Sequence, residues 1–408
     1  MNFELTAEQK AVRDTVAAFA AREVAPFAAD WDRRAHFARE LYSKLGAIGI
    51  MGMTVSGRYG GAGLDSTSVC LAIEELSKAD AGVGVTVSVH AGLITRIIEQ
   101  FAADDVKAYY LPRMCSGEWL GSFALTEAEA GSDASGLRTR AQRRGDRYAL
   151  NGVKQWATNA GVAKVVVVFA RTGGPGPDGI SAFLVDRDDP GFSIGRVTDK
   201  LGIHSSNTVD VVLDDAQVPA ARLLGGEGEG YKIALKTLGA GRLGIAAQAV
   251  GILAACLETA KRYALDRHQF GRPIGAFQGV SFKIADMAMD LDAARLLVYR
   301  AAWLRDRGDN SVDASSKAKL FASEAARRHA NECVQILGGY GYTKEFPAER
   351  YYRDAKITEI YEGTSEVQRM VIAREILGRL DQRTSKDRPK TIFVSDGKLK
   401  PETPQRVE

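Results

Sequence analysis

One carboxylate near the C-terminal end of the sequence is not explained by the local structure around it. The segment IYEGTSEVQRMVIAREIL, residues 360–377, has the apolar stripe of an amphipathic helix, and Ser365 with Gln368 predicts a capping box at its start. Glu362 precedes that cap, so helix formation does not require it. Gly363 gives the backbone freedom to direct the acid inward. Glu362 is therefore either a solvated loop carboxylate or a catalytic base that the fold holds in position.

Two segments could bind a flat ring, although each also has a purely structural interpretation. In FALTEAEAGSD, residues 123–133, Thr126 and Ser132 offer hydroxyls and Gly131 permits close backbone approach; the alternative is a strand followed by a tight loop. In KQWATNAG, residues 154–161, Trp156 and Thr158 face the same side of a predicted strand. That pair could stack on a ring and hydrogen-bond to it, although a strand tryptophan more often belongs to the core.

Two further segments could bind phosphates or a nucleotide. In DRHQFGRPIGAFQ, residues 266–278, Arg267 precedes a helix break and could meet a phosphate, although the helix dipole alone favours a cation there. In QILGGYGY, residues 335–342, Gly338 and Gly339 could expose backbone N–H groups to a nucleotide or simply end a helix.

The overall composition excludes several classes of function. Lys plus Arg number 54 and Asp plus Glu 51, a near balance that gives no support for nucleic-acid or membrane binding by bulk charge. The four cysteines and five histidines are scattered, without metal-ligand or redox spacing. We therefore expect no metal and a reducing compartment.

The N-terminal residues predict a helix rather than a targeting segment. Thr6 and Gln9 fit a capping box, and charged residues stand where a signal peptide would be apolar. The longest uncharged helical run, Leu243 to Leu257, is predicted to be too short to span a bilayer. These features predict no stable membrane insertion and a cytoplasmic protein, or a matrix protein if the chain is a processed mitochondrial form.

The predicted secondary structure changes twice along the chain, from helix to strand and back to helix. Helical periodicity covers residues 1–118, strand signals cover 119–225, and helical periodicity returns over 226–380. Asn151-Gly152 predicts a two-residue hairpin within the middle zone. The order predicts an α+β fold with a central β-domain, and there is no Rossmann fingerprint or P-loop. Residues 381–408 are charged, contain three prolines and show no helical period. They predict a tail that is either mobile or ordered only against another subunit.

Together the five segments resemble the acyl-CoA dehydrogenase family. LTEAEAGSD, WATN, RHQFGRPI, QILGGYGY and IYEGTSEVQRMVIAREIL occur in the family's order and spacing, and nearly the whole chain to about residue 380 is similar, most of all to the short-chain, butyryl-CoA-type members. The resemblance implies an N-terminal helical domain, a central β-barrel-like domain and a C-terminal four-helix bundle. It also implies FAD, an acyl-CoA substrate, a homotetramer built as a dimer of dimers, and electron-transfer flavoprotein as the electron acceptor.

The resemblance also implies a role for each matching position. Glu362 would take the α-proton of the thioester while hydride leaves the β-carbon for the flavin, in fatty-acid β-oxidation or branched-chain amino-acid degradation. Acyl-CoA would be bound by Ser132, Gly239, Arg242 and Gly363. FAD would be bound by Phe123, Leu125, Thr126, Gly131, Ser132, Trp156, Thr158, Arg267, Phe270, Gln278, Gln335, Gly338, Gly339, Thr364 and Glu366, with Arg267, Gln278 and the turn at 335–339 acting across a subunit interface.

Several positions depart from the family pattern. Ala128 replaces a usual proline, Ala157 leaves more room beside the flavin, and Gly239 replaces an aspartate that helps to hold the CoA end. One branch of the family carries its base at the position of Gly241, which cannot act as one. The rival interpretations are an acyl-CoA oxidase or monooxygenase-like relative that uses oxygen, and a flavin- or CoA-binding scaffold without turnover.

Overall fold

The structure is a computed structural model that describes residues 4–378. Its N-terminal part is helical, with a π-helical turn over Ser88–Ile94. The predicted cap of the first helix is confirmed, because Thr6 Oγ1 accepts a hydrogen bond from the Gln9 N–H and the Gln9 side chain accepts one from the Thr6 N–H. The helices are α1 (Ala7–Glu23), α2 (Ala28–Arg34), α3 (Arg39–Ala47), α4 (Ser66–Ala79), α5 (Ala81–Val87), α6 (Thr95–Phe101) and α7 (Asp104–Cys115).

Eight strands follow and form one mixed sheet in the order β6-β7-β3-β2-β4-β5-β8, with β1 parallel to β4. The apolar runs VVVVFA and ISAFLVD form β4 and β5, whose side chains are buried almost throughout. The strands are β1 (Gly121–Ala124), β2 (Arg140–Arg144), β3 (Arg147–Thr158), β4 (Val165–Arg171), β5 (Ile180–Asp186), β6 (Phe192–Val197), β7 (Thr208–Pro219) and β8 (Leu223–Leu224).

The predicted hairpin at Asn151-Gly152 is wrong. Strand β3 runs straight through these residues, and the turn lies at Gly145 and Asp146, between the paired residues Arg144 and Arg147. The register of β3 with β7 shifts next to Gly152, and an added methyl group there would lie 2.5 Å from Thr139 Oγ1. The glycine therefore permits a bulge and a close strand approach, which the local turn signal cannot distinguish from a hairpin.

The C-terminal part is again helical. Three long helices, α8 (Gly230–Asp266), α9 (Gln278–Asp306) and α10 (Val312–Leu337), pack against one another, and α11 (Ala348–Ile357) and α12 (Ser365–Leu377) pack on α10. A short ribbon of β9 (His268–Gln269) and β10 (Arg272–Pro273) joins α8 to α9. The helix–sheet–helix fold class is thus confirmed. The predicted tail at 381–408 lies outside the described residues.

One hydrophobic core runs through both helical parts, and α4 packs along α8 within it. Gln248 of α8 is fully buried in this core. Its Nε2 donates to the carbonyl oxygen of Ala81 at 2.8 Å, and its Oε1 accepts a hydrogen bond from the Tyr361 hydroxyl. A single side chain therefore joins the N-terminal helices to the segment that carries Glu362. The four cysteines are unpaired, buried thiols.

Two helical stretches are long and apolar enough to cross a membrane, namely Ala81–Phe101 and the whole of α8. The expectation that the run at Leu243–Leu257 is too short is therefore wrong, since it forms part of a 37-residue helix. In both stretches 89% of the apolar window is buried inside the protein. This burial accounts for their composition, as in the core helices of large domains.

Candidate active site

Glu362 lies in the short connection between α11 and α12. Its φ is +55°, in the left-handed region that a residue with a side chain rarely adopts, and Gly363 follows at φ +91°. The predicted capping box of Ser365 and Gln368 is wrong. Thr364 is the N-cap, accepting from the Val367 N–H at 3.2 Å, while Gln368 Nε2 donates to the Gly363 carbonyl oxygen at 2.8 Å. Gln368 thus holds the turn that carries Glu362 and does not cap the helix.

The Glu362 carboxyl group is directed into the protein. Its Oε2 is buried and has no hydrogen-bond partner among residues 4–378. The carboxyl lies over Gly241 of α8, where an added methyl group would be 2.3 Å from Oε2. Burial raises the pKa of Glu362 to about 7, against the opposing positive charges of Lys319 and Arg242. The group can therefore exchange a proton near neutral pH.

Lys319 of α10 holds the segment on both sides of Glu362. Its Nζ donates to the carbonyl oxygens of Gly363 at 2.7 Å and Thr358 at 3.0 Å. Burial lowers the pKa of Lys319 to about 8, although the charge of Glu362 opposes that shift. Nothing in the sequence marks Lys319 as part of the site, because a lysine in an amphipathic helix carries no signal of a contact so distant in the chain.

Arg242 is buried one residue beyond Gly241. Its Nη1 lies 3.4 Å from Ser316 Oγ, while its Nε has no partner in the described part of the chain. Burial lowers the pKa of Arg242 below its usual value. Unpartnered buried polar atoms on Arg242 and Glu362 are unusual in a folded protein and indicate a polar ligand at this place.

Trp156 offers an exposed apolar surface on the sheet. Its indole is 52% exposed and its φ is +56°, at a register shift between β3 and β7. The predicted simple alternation of Trp156 and Thr158 is therefore interrupted by a bulge, and the structural interpretation of Trp156 as a core residue is wrong. The Thr126 carbonyl oxygen accepts a hydrogen bond from the Gln155 N–H at 2.9 Å, so the 123–133 loop lies beside the indole. This surface fits a flat, partly polar ring.

A buried ion pair that the sequence analysis missed fixes the 123–133 loop. Lys154 Nζ lies 2.6 Å from Glu127 Oε1, and both groups are largely shielded from solvent. Glu127 also accepts from the N–H groups of Arg138 and Thr139 and from the Thr139 hydroxyl. Burial opposes ionisation of Glu127, but Lys154 and these donors outweigh it and lower the pKa of Glu127. We refer to Glu127, Lys154 and Thr139 as the loop clamp.

The remaining predicted residues near this region lie on turns and helix ends. Phe123 packs against Phe169 with ring centroids 5.0 Å apart, and Leu125 is buried. Gly131, Ser132 and Glu366 are exposed. Gly239 faces Arg305, whose Nη1 would lie 4.0 Å from an added methyl group. No cluster of three His, Cys, Asp or Glu side chains that could hold a metal ion occurs in residues 4–378.

The structure separates the predicted FAD residues into two groups. Arg267, at the end of α8, stands 25 residues beyond Arg242, which is about 38 Å along the helix. Arg267 lies 5.9 Å from the ring of Tyr340, and so the break after α8 and the 335–342 turn do meet. This second group comprises Arg267, Phe270, Gln278, Gln335, Gly338 and Gly339. Arg267 of this second group is thus well separated along α8 from Arg242, which lies beside Glu362.

Backbone strain also falls on predicted site residues. Seven residues other than glycine have positive φ in the described chain, and Trp156, Phe270 and Glu362 are three of them. Such conformations cost free energy and persist where the surrounding structure enforces them, often at functional sites. The strain therefore supports both groups as functional.

Comparisons with known proteins agree on one family along the whole described chain. Three family models match, for the N-terminal domain (residues 6–118), middle domain (122–216) and C-terminal domain (228–377) of acyl-CoA dehydrogenases. An acyl-CoA dehydrogenase of Bacillus subtilis is 50% identical, over 92% of this chain and 99% of that protein.

Two solved structures share the fold closely. Butyryl-CoA dehydrogenase from Megasphaera elsdenii has a TM-score of 0.91 and 44% identity, covering 92% of this chain and 100% of that one. A chain from work on the electron transferring flavoprotein of Acidaminococcus fermentans and flavin-based electron bifurcation has a TM-score of 0.92 and 46% identity, covering 93% and 100%.

Proposed function

The chain belongs to the acyl-CoA dehydrogenase family, and from that premise we propose that it oxidises short-chain acyl-CoA thioesters, straight or branched, to trans-2-enoyl-CoA. FAD supplies the acceptor for the hydride that leaves the β-carbon. The family, the FAD dependence and the dehydrogenase activity agree across the matched domains and relatives. The observation that carries the proposal is the inward carboxyl of Glu362, whose Oε2 has no hydrogen-bond partner in the described part of the chain.

Glu362 is proposed to take the α-proton. A solvated glutamate, with a pKa of about 4.3, is too weak a base for this step, whereas the buried Glu362 carboxyl has a pKa of about 7. Below that pH the group is protonated and cannot accept a proton. The rate of flavin reduction should therefore rise as the pH increases through about 7.

The first group of predicted residues suits the flavin and thioester end. Trp156 presents its exposed indole, Thr126 and Thr158 are partly exposed beside it, and Thr364 caps the helix that follows Glu362. Arg242 and Gly363 adjoin the same carboxyl. We propose these residues, with Phe123, Leu125, Gly131, Ser132, Gly239 and Glu366, as the flavin and acyl-CoA site.

The second group is proposed to act on FAD bound mainly by another copy of the chain. The separation of Arg267 from Arg242 along α8 supports this assignment. Helix α9 also exposes large apolar side chains at seven-residue spacing: Phe282, Met289, Leu296 and Trp303. We call these four residues the α9 stripe. An apolar stripe of this kind suits packing against a second copy, and we propose a homotetramer built as a dimer of dimers.

Electron-transfer flavoprotein is proposed as the electron acceptor, and the cytoplasm remains the predicted location. The likeness to the chain from Acidaminococcus fermentans supports this acceptor. An oxidase would instead consume oxygen and form peroxide when acyl-CoA is added in air. Measurement of oxygen uptake and peroxide distinguishes the two activities.

Replacement of the proposed base tests the mechanism. Glu362→Gln should keep the yellow FAD and bind butyryl-CoA, but butyryl-CoA should no longer bleach the flavin under anaerobic conditions, because an amide cannot take the α-proton. Glu375→Gln, an exposed position on the same helix, is the control and should bleach like the unmodified protein. Bleaching of Glu362→Gln at the unmodified rate would show that Glu362 is not the base.

A further inference from the structure

A pocket begins one helical turn from the Glu362 carboxyl. Gly241 and Gly244 lie on the same face of α8, about 4.5 Å apart along its axis. Gly241 faces Glu362, and Gly244 faces the Ser88 hydroxyl, which would lie 2.2 Å from an added methyl group. Ser88 and Gly244 line the pocket together with the apolar side chains of Ile73 and Leu243. The pocket therefore lies next to the part of α8 that the Glu362 carboxyl contacts.

Two arginines line the same pocket, Arg96 of α6 and Arg305 of α9. Both are partly buried, and no hydrogen bond or ion pair of either guanidinium occurs within residues 4–378. The nearest acids, Glu99 and Asp306, act on them only from beyond ion-pair distance, and Asp306 accepts a hydrogen bond from the Ser66 N–H. Burial lowers the pKa of Arg305 to about 10, and the charge of Arg96 acts in the same direction.

Two unpaired cations facing one pocket are unfavourable without a counter-charge. Burial removes water from the guanidinium groups, and their like charges repel. An anion that lies between them would remove both costs, and a carboxylate matches the forked N–H geometry of arginine. The apolar side chains of Ile73 and Leu243 beside these two cations suit a ligand that is apolar in the middle and anionic at its far end.

We propose that Arg96 and Arg305 bind a carboxylate at the end of the acyl chain opposite the thioester, so that the substrate class is a short acyl-CoA with a second, terminal carboxylate. This inference rests on the proposed function. The carboxylate serves only for binding, and no bond to it forms or breaks. Oxidation stays between the α- and β-carbons, with the proton passing to Glu362 and the hydride to FAD.

Gly239 leaves Arg305 free for such a ligand. An added methyl group at residue 239 would lie 4.0 Å from Arg305 Nη1. An aspartate there would place a carboxylate of the chain itself beside the guanidinium. Gly239→Asp should therefore compete with the terminal carboxylate of a substrate.

Matched substrates test the proposal on the FAD-loaded protein. Anaerobic flavin bleaching is followed with pairs of acyl-CoAs of equal carbon number, one ending in a methyl group and one in a carboxylate, from about four to seven carbons. The carboxylate-ended member of at least one pair should have a kcat/KM at least about tenfold higher, since a charged hydrogen-bond pair is at stake. Arg96→Gln and Arg305→Gln should each lower that value by about tenfold to a hundredfold while changing the methyl-ended value by less than about threefold.

Two further variants distinguish a loss of carboxylate binding from a loss of the folded structure. Arg305→Lys retains the charge but not the fork and should cause an intermediate loss of the carboxylate-ended rate. Gly239→Asp should lower the carboxylate-ended rate by a larger factor than the methyl-ended rate. Arg307→Gln, an exposed arginine at the same end of α9, is the control and should change neither rate. Flavin content and melting temperature report whether each variant has folded.

Each other outcome has a defined meaning. Equal rates for both members of every pair would overturn the inference and leave the proposed function intact. Equal losses for both series, with weaker binding of free CoA, would assign the arginines to CoA phosphates and would also overturn it. No bleaching by any acyl-CoA would overturn the proposed function and the inference with it.

Discussion

At the scale of single residues, Gly241 and Glu362 are complementary. The carboxyl occupies the volume that a side chain at 241 would need, and its Oε2 has no hydrogen-bond partner among the described residues. The absence of a side chain at 241 therefore determines where the acid lies. Glu362 could be identified from the sequence as unnecessary for its helix, but its dependence on Gly241 could not, since the two residues meet only in the folded chain.

Gly241→Ala should lower activity without loss of stability. The methyl group would lie 2.3 Å from Oε2 and so displace the carboxyl. A shift of about 1 Å at a catalytic group can reduce kcat by about a hundredfold, whereas alanine favours a helix by about 1 kcal/mol over glycine. Steady-state kinetics with butyryl-CoA and thermal unfolding would check both parts.

Gly57→Ala is the control for that substitution. No atom lies within 4 Å of an added methyl group at this exposed position, and so kcat should be unchanged. An unchanged kcat in Gly241→Ala would mean that the carboxyl position above α8 does not matter for the reaction.

At the scale of elements, the loop clamp links two strands to the loop beside Trp156. Glu127 lies on the loop, Lys154 on β3, and Thr139 just before β2. The three residues therefore fix the loop relative to the bulge that exposes the indole. Exposed pairs in the same loop, such as Arg138 with Glu129, have little effect on stability because water screens them.

Glu127→Gln should destabilise the protein by about 3–5 kcal/mol, because it leaves the buried Lys154 without a counter-charge. Denaturant unfolding of the FAD-loaded protein measures this loss. Adding Lys154→Met should restore much of the stability, since the unpaired charge is removed while the new amide oxygen at position 127 can still accept from Thr139. Glu129→Gln, which breaks the exposed pair, should cost less than about 1 kcal/mol. Equal costs for the buried and exposed pairs would contradict the clamp.

Predictions from the sequence succeeded where burial produces a local pattern. The runs that form β4 and β5 and the period of α4 follow directly from side chains buried on one or both faces. The hairpin at Asn151-Gly152 failed because the pairing of β3 with β7 and the contact with Thr139 are long-range. The sequence also does not reveal the roles of Lys319, Lys154 and Arg96. Each is buried only by residues that are distant in the chain.

At the scale of the whole molecule, the proposed oligomer would bring the two groups of FAD residues together. Arg242, beside Glu362, and Arg267 of the second group are separated by about 38 Å along α8. A second copy that packs on the α9 stripe could supply the distant group. Assembly and cofactor retention would then depend on the same surface.

The variant Met289→Glu with Leu296→Glu should reduce the oligomer to smaller species and release FAD. Both side chains are more than half exposed in the single chain and would be buried by the proposed packing, where unpaired charges are strongly unfavourable. Light scattering after size exclusion measures the mass, and the ratio of flavin to protein absorbance measures FAD. Val197→Glu, on the exposed side of β6, should change neither. A double variant of unchanged mass would exclude the α9 stripe as the interface.

Gln248 limits how the helical regions of two homologous chains can be combined. Its amide bonds to Ala81 at one end and to Tyr361, the neighbour of Glu362, at the other. In a chimaera that takes its first helices from one homologue and its last helices from another, the hydrogen bonds of Gln248 would connect residues from two different proteins. Loss of either hydrogen bond would loosen the segment around Tyr361, and Glu362 would shift with it. The two helical regions, although separated in the chain by the entire sheet, are thus coupled through one buried side chain, and a working chimaera must keep both partners of Gln248.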